Sequence, residues 1–108
     1  MWTQQDAIAL CKSLENIAPR YGAHVALTGG CLYKEGARKD VDIHFYRIRQ
    51  VDEVDWDGLF THMERNGFNQ LTPRSWVTKF ECAFTGRGID IFDPEWKNGN
   101  DVNYGANK

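Results

Sequence analysis

The stretch that decides the fold is residues 25–45, VALTGGCLYKEGARKDVDIHF. Its first part is a short, mostly apolar run, which predicts a buried strand that ends at Gly29-Gly30. A polar connection of nine residues follows, and the chain then alternates charged and apolar residues in the segment DVDIHF. Because side chains alternate between the two faces of a strand, Asp40 and Asp42 are predicted to share one face, roughly 6.5–7 Å apart along the backbone.

This stretch has the residue types that a phosphoryl-transfer site needs. Two glycines at a strand end let backbone N–H groups approach an anion closely. A pair of carboxylates at this spacing suits two hard cations held about 3.5–4 Å apart. A third carboxylate is predicted at Asp90, because the isoleucines beside it in GIDIF face the core. Asp93 is the competing candidate, at the strand end before Pro94.

Taken one at a time, the same features have ordinary structural interpretations. A glycine pair is typical of a turn, and two aspartates on a strand are typical of a solvated face. His44 shares the aspartate face and is expected to be an exposed strand residue rather than a ligand. Phe92 shares the face of Asp90, where it would either pack in the hairpin or stack on a base.

The joint pattern Gly-[Gly/Ser]-x9-Asp-h-Asp-h, followed by a later h-Asp-h strand (h, hydrophobic), resembles the nucleotidyltransferase superfamily that includes DNA polymerase beta. The sequence TGGCLY…GARKDVDI is also similar to the N-terminal part of CCA-adding enzymes and bacterial poly(A) polymerases. The resemblance implies transfer of a nucleoside monophosphate from a nucleoside triphosphate to a hydroxyl of a protein or RNA, with release of pyrophosphate.

The resemblance also implies a role for each matching position. Asp40 and Asp42 would bind both of two Mg²⁺ ions, and Asp90 would hold the catalytic ion and help to deprotonate the acceptor hydroxyl. Gly29 and Gly30 would contact the β and γ phosphates of the triphosphate. Basic side chains close to the motif would assist nucleotide binding: Lys34, Arg38 and Lys39.

The sequence departs from the family pattern in ways that leave an alternative open. Gly30 stands where the family often has serine, and Leu32 or Tyr33 replaces an arginine that often follows. In length the chain is closest to the minimal nucleotidyltransferases, which resemble antitoxins working with a separate helical partner. A protein partner that supplies the acceptor or the helical half is therefore expected. The alternative is a non-catalytic module of the same fold that regulates or inhibits a partner.

Composition places the chain among soluble globular proteins. With 108 residues, 42% hydrophobic and 26% charged, it is expected to form one domain over residues 1–94, followed by an Asn- and Gly-rich tail over 95–108. A net charge of −2 excludes polyanion binding by bulk electrostatics. We expect no signal peptide, no membrane span and, from three cysteines without a C-x-x-C pair, a cytoplasmic location.

The remaining elements follow from periodicity and capping signals. Thr3 and Asp6 predict the start of a helix over residues 4–18, and Asp55 the start of a second helix that stops at Gly67. Strands are predicted at 68–71, 75–84 and 88–92, with Trp76 and Phe80 as core aromatics. This order predicts an α+β fold, an α/β sandwich with a mixed sheet, helices packed on one face and a nucleotidyltransferase-like core.

Overall fold

A five-stranded sheet with two helices packed against it makes up the part of the chain that the structure describes, residues 2–28 and 39–96 of a computed structural model. The elements in chain order are helix α1 (Gln4–Glu15), a 3₁₀ turn (Ala18–Tyr21), strands β1 (Ala23–Thr28) and β2 (Asp40–Arg47), helix α2 (Trp56–Arg65), and strands β3 (Phe68–Gln70), β4 (Val77–Cys82) and β5 (Gly88–Phe92).

The sheet is mixed, with strand order β1-β2-β5-β4-β3. Strands β2 and β5 are parallel neighbours at its centre, and the other three pairs are antiparallel. One face of the sheet is apolar and contributes to a single core cluster with both helices. The fold is therefore the predicted α+β arrangement, with a mixed sheet and helices on one face.

Strand alternation and helical periodicity together build the core. Val41, Ile43 and Phe45 of β2 are buried, whereas the residues between them are only partly buried. Strand β5 repeats the pattern, with Ile89 and Ile91 buried. Each helix contributes one apolar stripe to the same cluster: Ala7, Leu10 and Leu14 from α1, and Leu59, Phe60 and Met63 from α2.

The helix termini follow their capping signals, with one correction. Thr3 and Asp6 form the predicted capping box, since the Thr3 hydroxyl accepts a hydrogen bond from the Asp6 backbone N–H at 3.0 Å. Helix α1 ends at Glu15, however, and not at residue 18. Pro19 lies in the first turn of the 3₁₀ segment that follows, where its missing N–H costs nothing, and Gly22 ends that segment in the left-handed conformation.

Strand β4 is shorter than its alternation predicts, because a strand extends only as far as its partners. The predicted strand covers residues 75–84, but β4 covers Val77–Cys82, opposite the five residues of β5. Phe80 is buried as predicted. The prediction for Trp76 is wrong: the chain bends before β4, and Trp76 is 59% exposed.

Two further sequence expectations concern membrane-spanning helices and cysteines. No helix in residues 2–28 or 39–96 is both long enough and apolar enough to cross a membrane. Cys11 and Cys82 carry free thiols, and both are partly buried. Burial raises the pKa of the Cys11 thiol to about 11, so that this thiol is neutral at physiological pH and packs as a small apolar group.

The two phenylalanines of the predicted long strand provide a matched test of where β4 ends. Phe80 is 1% exposed and Phe84 is 86% exposed. We expect Phe80→Ala to lower the free energy of unfolding by about 3–5 kcal/mol, since it opens a core cavity, and Phe84→Ala to lower it by less than about 1 kcal/mol. Urea unfolding measures both, and equal losses would contradict the observed end of the strand.

Candidate active site

The predicted carboxylates lie on the face of the sheet opposite the helices, which we call the open face. Period-2 alternation along β2 turns Asp40, Asp42 and His44 to this face, because the residues between them are in the core. Asp90 reaches the same face from β5, between two buried isoleucines. In the parallel pairing of the two strands, Asp42 and Asp90 are register partners, and neighbouring strands lie only about 4.8 Å apart.

Asp40 occupies space that exists because residue 88 is glycine. Asp40 and Gly88 are register partners at the start of the two strands. A Cβ built on Gly88 would collide with the Asp40 carboxylate, so the carboxylate lies directly against the β5 backbone. The indole N–H of Trp2 donates a 2.7 Å hydrogen bond to the Gly88 carbonyl oxygen. This end of β5 is thus held from one side while the other side leaves room for a carboxylate.

Lys79 of β4 neutralises part of the acidic cluster. Its register partner is Asp90, and its ammonium nitrogen donates a 2.9 Å hydrogen bond to Asp90 Oδ1. The Asp90 side chain is 18% exposed and that of Lys79 is 53% exposed, so solvent screens the pair only in part. The hydrogen bond to Asp90 and its charge raise the pKa of Lys79, with smaller contributions from Asp40 and Asp42. The ammonium therefore stays charged.

Asp42 is the carboxyl of the cluster whose ionisation is made unfavourable by its surroundings. Partial burial raises the pKa of its carboxyl above the usual aspartate range, and the charges of Asp90 and Asp40 raise it further. Lys79 and His44 oppose this rise without cancelling it. Three carboxylates on two adjacent strands thus form a region of negative potential that a cation would relieve.

The chemistry of these donors suits a magnesium ion, although they do not converge into a cage in this conformation. Carboxylate oxygens are the hard ligands that Mg²⁺ prefers. Nevertheless, no group of three or more acid, histidine or cysteine side chains that could hold a metal is found in residues 2–28 and 39–96. The Lys79 ammonium already satisfies one oxygen of Asp90. The donor set fits the ion, and convergence on it requires the side chains to reorient.

The other predicted site residues are divided between described and undescribed parts of the chain. Gly29, Gly30, Lys34 and Arg38 fall in residues 29–38, outside the described residues. Lys39 is exposed immediately before β2. Asp93, the competing third carboxylate, lies away from the cluster. Its side chain is buried and accepts a hydrogen bond from Arg74 at 3.2 Å.

Sequence reasoning missed the two contacts that complete the surroundings of the cluster. Alternation placed Lys79 on the face opposite Phe80, but which acid it meets depends on the register between β4 and β5. The hydrogen bond from Trp2 to Gly88 joins residues 86 positions apart, and no local sequence pattern indicates it. The Arg87 guanidinium packs 4.0 Å from the centre of the Trp2 ring, and this cation–π contact helps to hold the ring in place.

Comparison with solved structures identifies the fold. Cid1, described as having RNA terminal uridylyl transferase activity, matches with a TM-score of 0.67 and 15% identity, over 85% of this chain and 31% of that one. Cid1 is a member of the nucleotidyltransferase superfamily. The fold is that of the nucleotidyltransferases. At this level of identity the likeness establishes the fold, and the chemistry has to be argued from the residues.

Two further structures support the same assignment. A cytoplasmic RNA terminal U-transferase matches with a TM-score of 0.63 and 14% identity, over 85% of this chain and 28% of that one. CdnC of E. coli MS115-1, solved in complex with HORMA-deltaN, matches with a TM-score of 0.51 and 14% identity, over 84% of this chain and 35% of that one. The chain therefore spans about a third of the length of these proteins. No protein-family model matches the sequence, and no curated protein matches it significantly.

The raised pKa of Asp42 predicts that removing its charge stabilises the metal-free fold. An acid whose pKa is raised by folding destabilises the native state when it is ionised, so the cost is present above the raised pKa and disappears in acid. We expect Asp42→Asn to raise the Tm at pH 7 in EDTA, and the gain to shrink as the pH falls through the raised pKa. Asp57→Asn, an exposed position in the first turn of α2, is the control. A lower Tm for Asp42→Asn at pH 7 would contradict the electrostatic argument.

Proposed function

We propose that the protein is a minimal nucleotidyltransferase, which transfers a nucleoside monophosphate from a nucleoside triphosphate to a hydroxyl in the cytoplasm. One observation carries the proposal: Asp42 and Asp90 are register partners on adjacent parallel strands, with Asp40 beside them on the same face. In a nucleotidyltransferase fold, this cluster places three hard oxygen donors on neighbouring positions of one face, from which they could turn toward a shared cation. A structural role does not explain it, because partial burial and the charges of Asp90 and Asp40 together raise the pKa of Asp42, which costs stability when Asp42 is ionised.

Asp40, Asp42 and Asp90 would hold two Mg²⁺ ions, which would offset the negative charge of the triphosphate and make the acceptor hydroxyl more acidic. The acceptor oxygen forms a bond to the α-phosphorus, the bond from that phosphorus to the bridging oxygen breaks, and pyrophosphate leaves. Asp90 would take up the hydroxyl proton. Gly29 and Gly30 would bind the β and γ phosphates, and three basic side chains would add electrostatic attraction: Lys34, Arg38 and Lys39.

Lys79 would have to exchange partners when substrate binds. Its ammonium now donates to Asp90, and its side chain is half exposed, so it can swing from the carboxylate to a phosphate oxygen. In that exchange a metal ion would replace the ammonium as the positive charge beside Asp90. The acceptor would be an RNA end or a protein hydroxyl, and a partner protein would supply either that acceptor or a helical half that covers the open face.

A thermal shift with each of the four nucleoside triphosphates, with and without Mg²⁺, tests the proposal directly. A ligand at 100 times its Kd stabilises the native state by about 2.7 kcal/mol, which raises the Tm of a domain of this size by several degrees or more. We expect that rise with Mg²⁺, and we expect Asp40→Asn/Asp42→Asn to abolish it. Asp57→Asn should respond like the wild type. No rise with any triphosphate in the presence of Mg²⁺ would overturn the proposal.

A pair of glycine substitutions, one in the turn before β5 and one at the first residue of β5, separates the site from the fold. In Gly88→Ala the new Cβ displaces the Asp40 carboxylate, which is exposed and can rotate away, so we expect little change in Tm and loss of most of the Mg²⁺-dependent nucleotide response. Gly86 has a φ of 72° and open space around it, so Gly86→Ala should lower the Tm and keep the response. If Gly88→Ala kept the nucleotide response and Gly86→Ala lost it, the position of the Asp40 carboxylate would not matter to ligand binding.

The Lys79–Asp90 ion pair favours one second candidate. If that ammonium permanently takes the place of a metal ion, the chain is a non-catalytic module that regulates or inhibits a partner protein. In that case neither the wild type nor Lys79→Ala is stabilised by a nucleoside triphosphate. A partner protein that binds the wild type also binds Asp40→Asn/Asp42→Asn. A Mg²⁺-dependent response in the wild type excludes this candidate.

A further inference from the structure

Three aromatic rings form a row across the open face beside the acidic cluster. His44 and Phe92 are register partners, two residues along their strands from Asp42 and Asp90, or roughly 7 Å. The His44 and Phe92 rings stack, with centroids 4.9 Å apart and an angle of 29° between planes. The Trp76 ring lies 5.6 Å from that of Phe92, tilted by 60°. We call these three rings the aromatic row.

Trp76 lies at one end of the row, and most of its side chain is exposed to solvent in the part of the chain that the structure describes. Trp76 is 59% exposed, although tryptophan is normally buried over most of its surface. The aromatic surface continues along the same face. Tyr46, two residues beyond His44 on β2, is 44% exposed, and its ring is 5.7 Å from that of its register partner His24. Exposed aromatic rings on one face of a sheet are suited to stacking of successive bases, which needs no sequence-specific hydrogen bonds.

The sheet register indicates which substrate this surface faces. Thr28, the last residue of β1 and the residue before Gly29-Gly30 in the sequence, is the register partner of Asp42, so β1 ends at the acidic end of the sheet. The aromatic row lies on the other side of the acids. In phosphoryl transfer the attacking and leaving oxygens are roughly in line across the phosphorus. With pyrophosphate leaving toward the glycines, the acceptor hydroxyl must approach from the side of the aromatic row.

We propose that the aromatic row binds the terminal base of a single-stranded nucleic-acid acceptor, with Trp76 as the main stacking surface and Tyr46 next to the preceding nucleotide. This proposal rests on the proposed function, and it selects a nucleic-acid end over a protein hydroxyl as the acceptor. The negative open face repels a phosphate backbone, so base stacking rather than backbone charge has to supply the attraction. Trp76 is accordingly a binding and positioning residue and takes no part in proton transfer.

Fluorescence anisotropy with a labelled single-stranded oligoribonucleotide, in a buffer containing Mg²⁺, tests the proposal. We expect Trp76→Ala to weaken binding at least tenfold and Trp76→Phe to recover most of the loss. Phe84→Ala, which removes an even more exposed ring, should bind like the wild type. Because Trp76 lies outside the core, all three variants should keep the circular dichroism spectrum of the wild type. Equal binding by the wild type and Trp76→Ala, or no binding by either, would overturn the proposal.

The triphosphate response distinguishes failure of this proposal from failure of the proposed function. If the wild type responds to triphosphate and Mg²⁺ but oligonucleotide binding does not depend on Trp76, the acceptor site is wrong and the function stands. If oligonucleotide binding depends on Trp76 but no triphosphate stabilises the fold, the surface is right and nucleotidyl transfer fails. If Trp76→Ala weakens only the triphosphate response, the ring binds the incoming base and the acceptor proposal is overturned.

Discussion

The parallel pairing of β2 with β5, in the register that sets Asp42 opposite Asp90, is the constraint on which both faces of the sheet depend. The same register sets Ile43 opposite Ile91 on the helix side, where both are buried. A slip of one residue in either strand would turn its isoleucines to solvent and its aspartates into the core. Burial of apolar side chains therefore fixes the strand pairing, and that pairing brings the acids together.

The balance of energies explains why the fold tolerates like charges at its centre. Each fully buried valine, isoleucine or phenylalanine of these strands stabilises the fold by about 1.5–3 kcal/mol. Two like charges 4 Å apart cost only about 1 kcal/mol in water and about 4 kcal/mol at the effective dielectric constant near a protein surface. Lys79 lowers that cost by its hydrogen bond to Asp90. The core therefore outweighs the repulsion, and the repulsion adds to the effect of burial in raising the pKa of Asp42.

Features set by local chemistry could be predicted from the sequence, and features set by pairing between distant segments could not. The capping box at Thr3, the end of β1 and the shared face of the three aspartates all follow from nearest neighbours and alternation. The end of β4 does not, because it depends on the length of β5. For the same reason Trp76 was assigned to the core, and the partner of Lys79 could not be named.

The hydrogen bond from Trp2 to Gly88 is the contact that the sequence predicts least, and it connects the acidic cluster to the helical layer. Asp6 caps α1 through Thr3 and also accepts a 3.0 Å hydrogen bond from Arg87, whose guanidinium covers the Trp2 ring. The Trp2 indole in turn donates to the carbonyl of Gly88, the residue against which the Asp40 carboxylate lies. A continuous chain of contacts thus runs from the first turn of a helix on one face to a carboxylate on the other. The Gly88 backbone is therefore held on one side by Trp2 and contacted on the other by the Asp40 carboxylate, and position is what a carboxylate contributes to holding a metal ion.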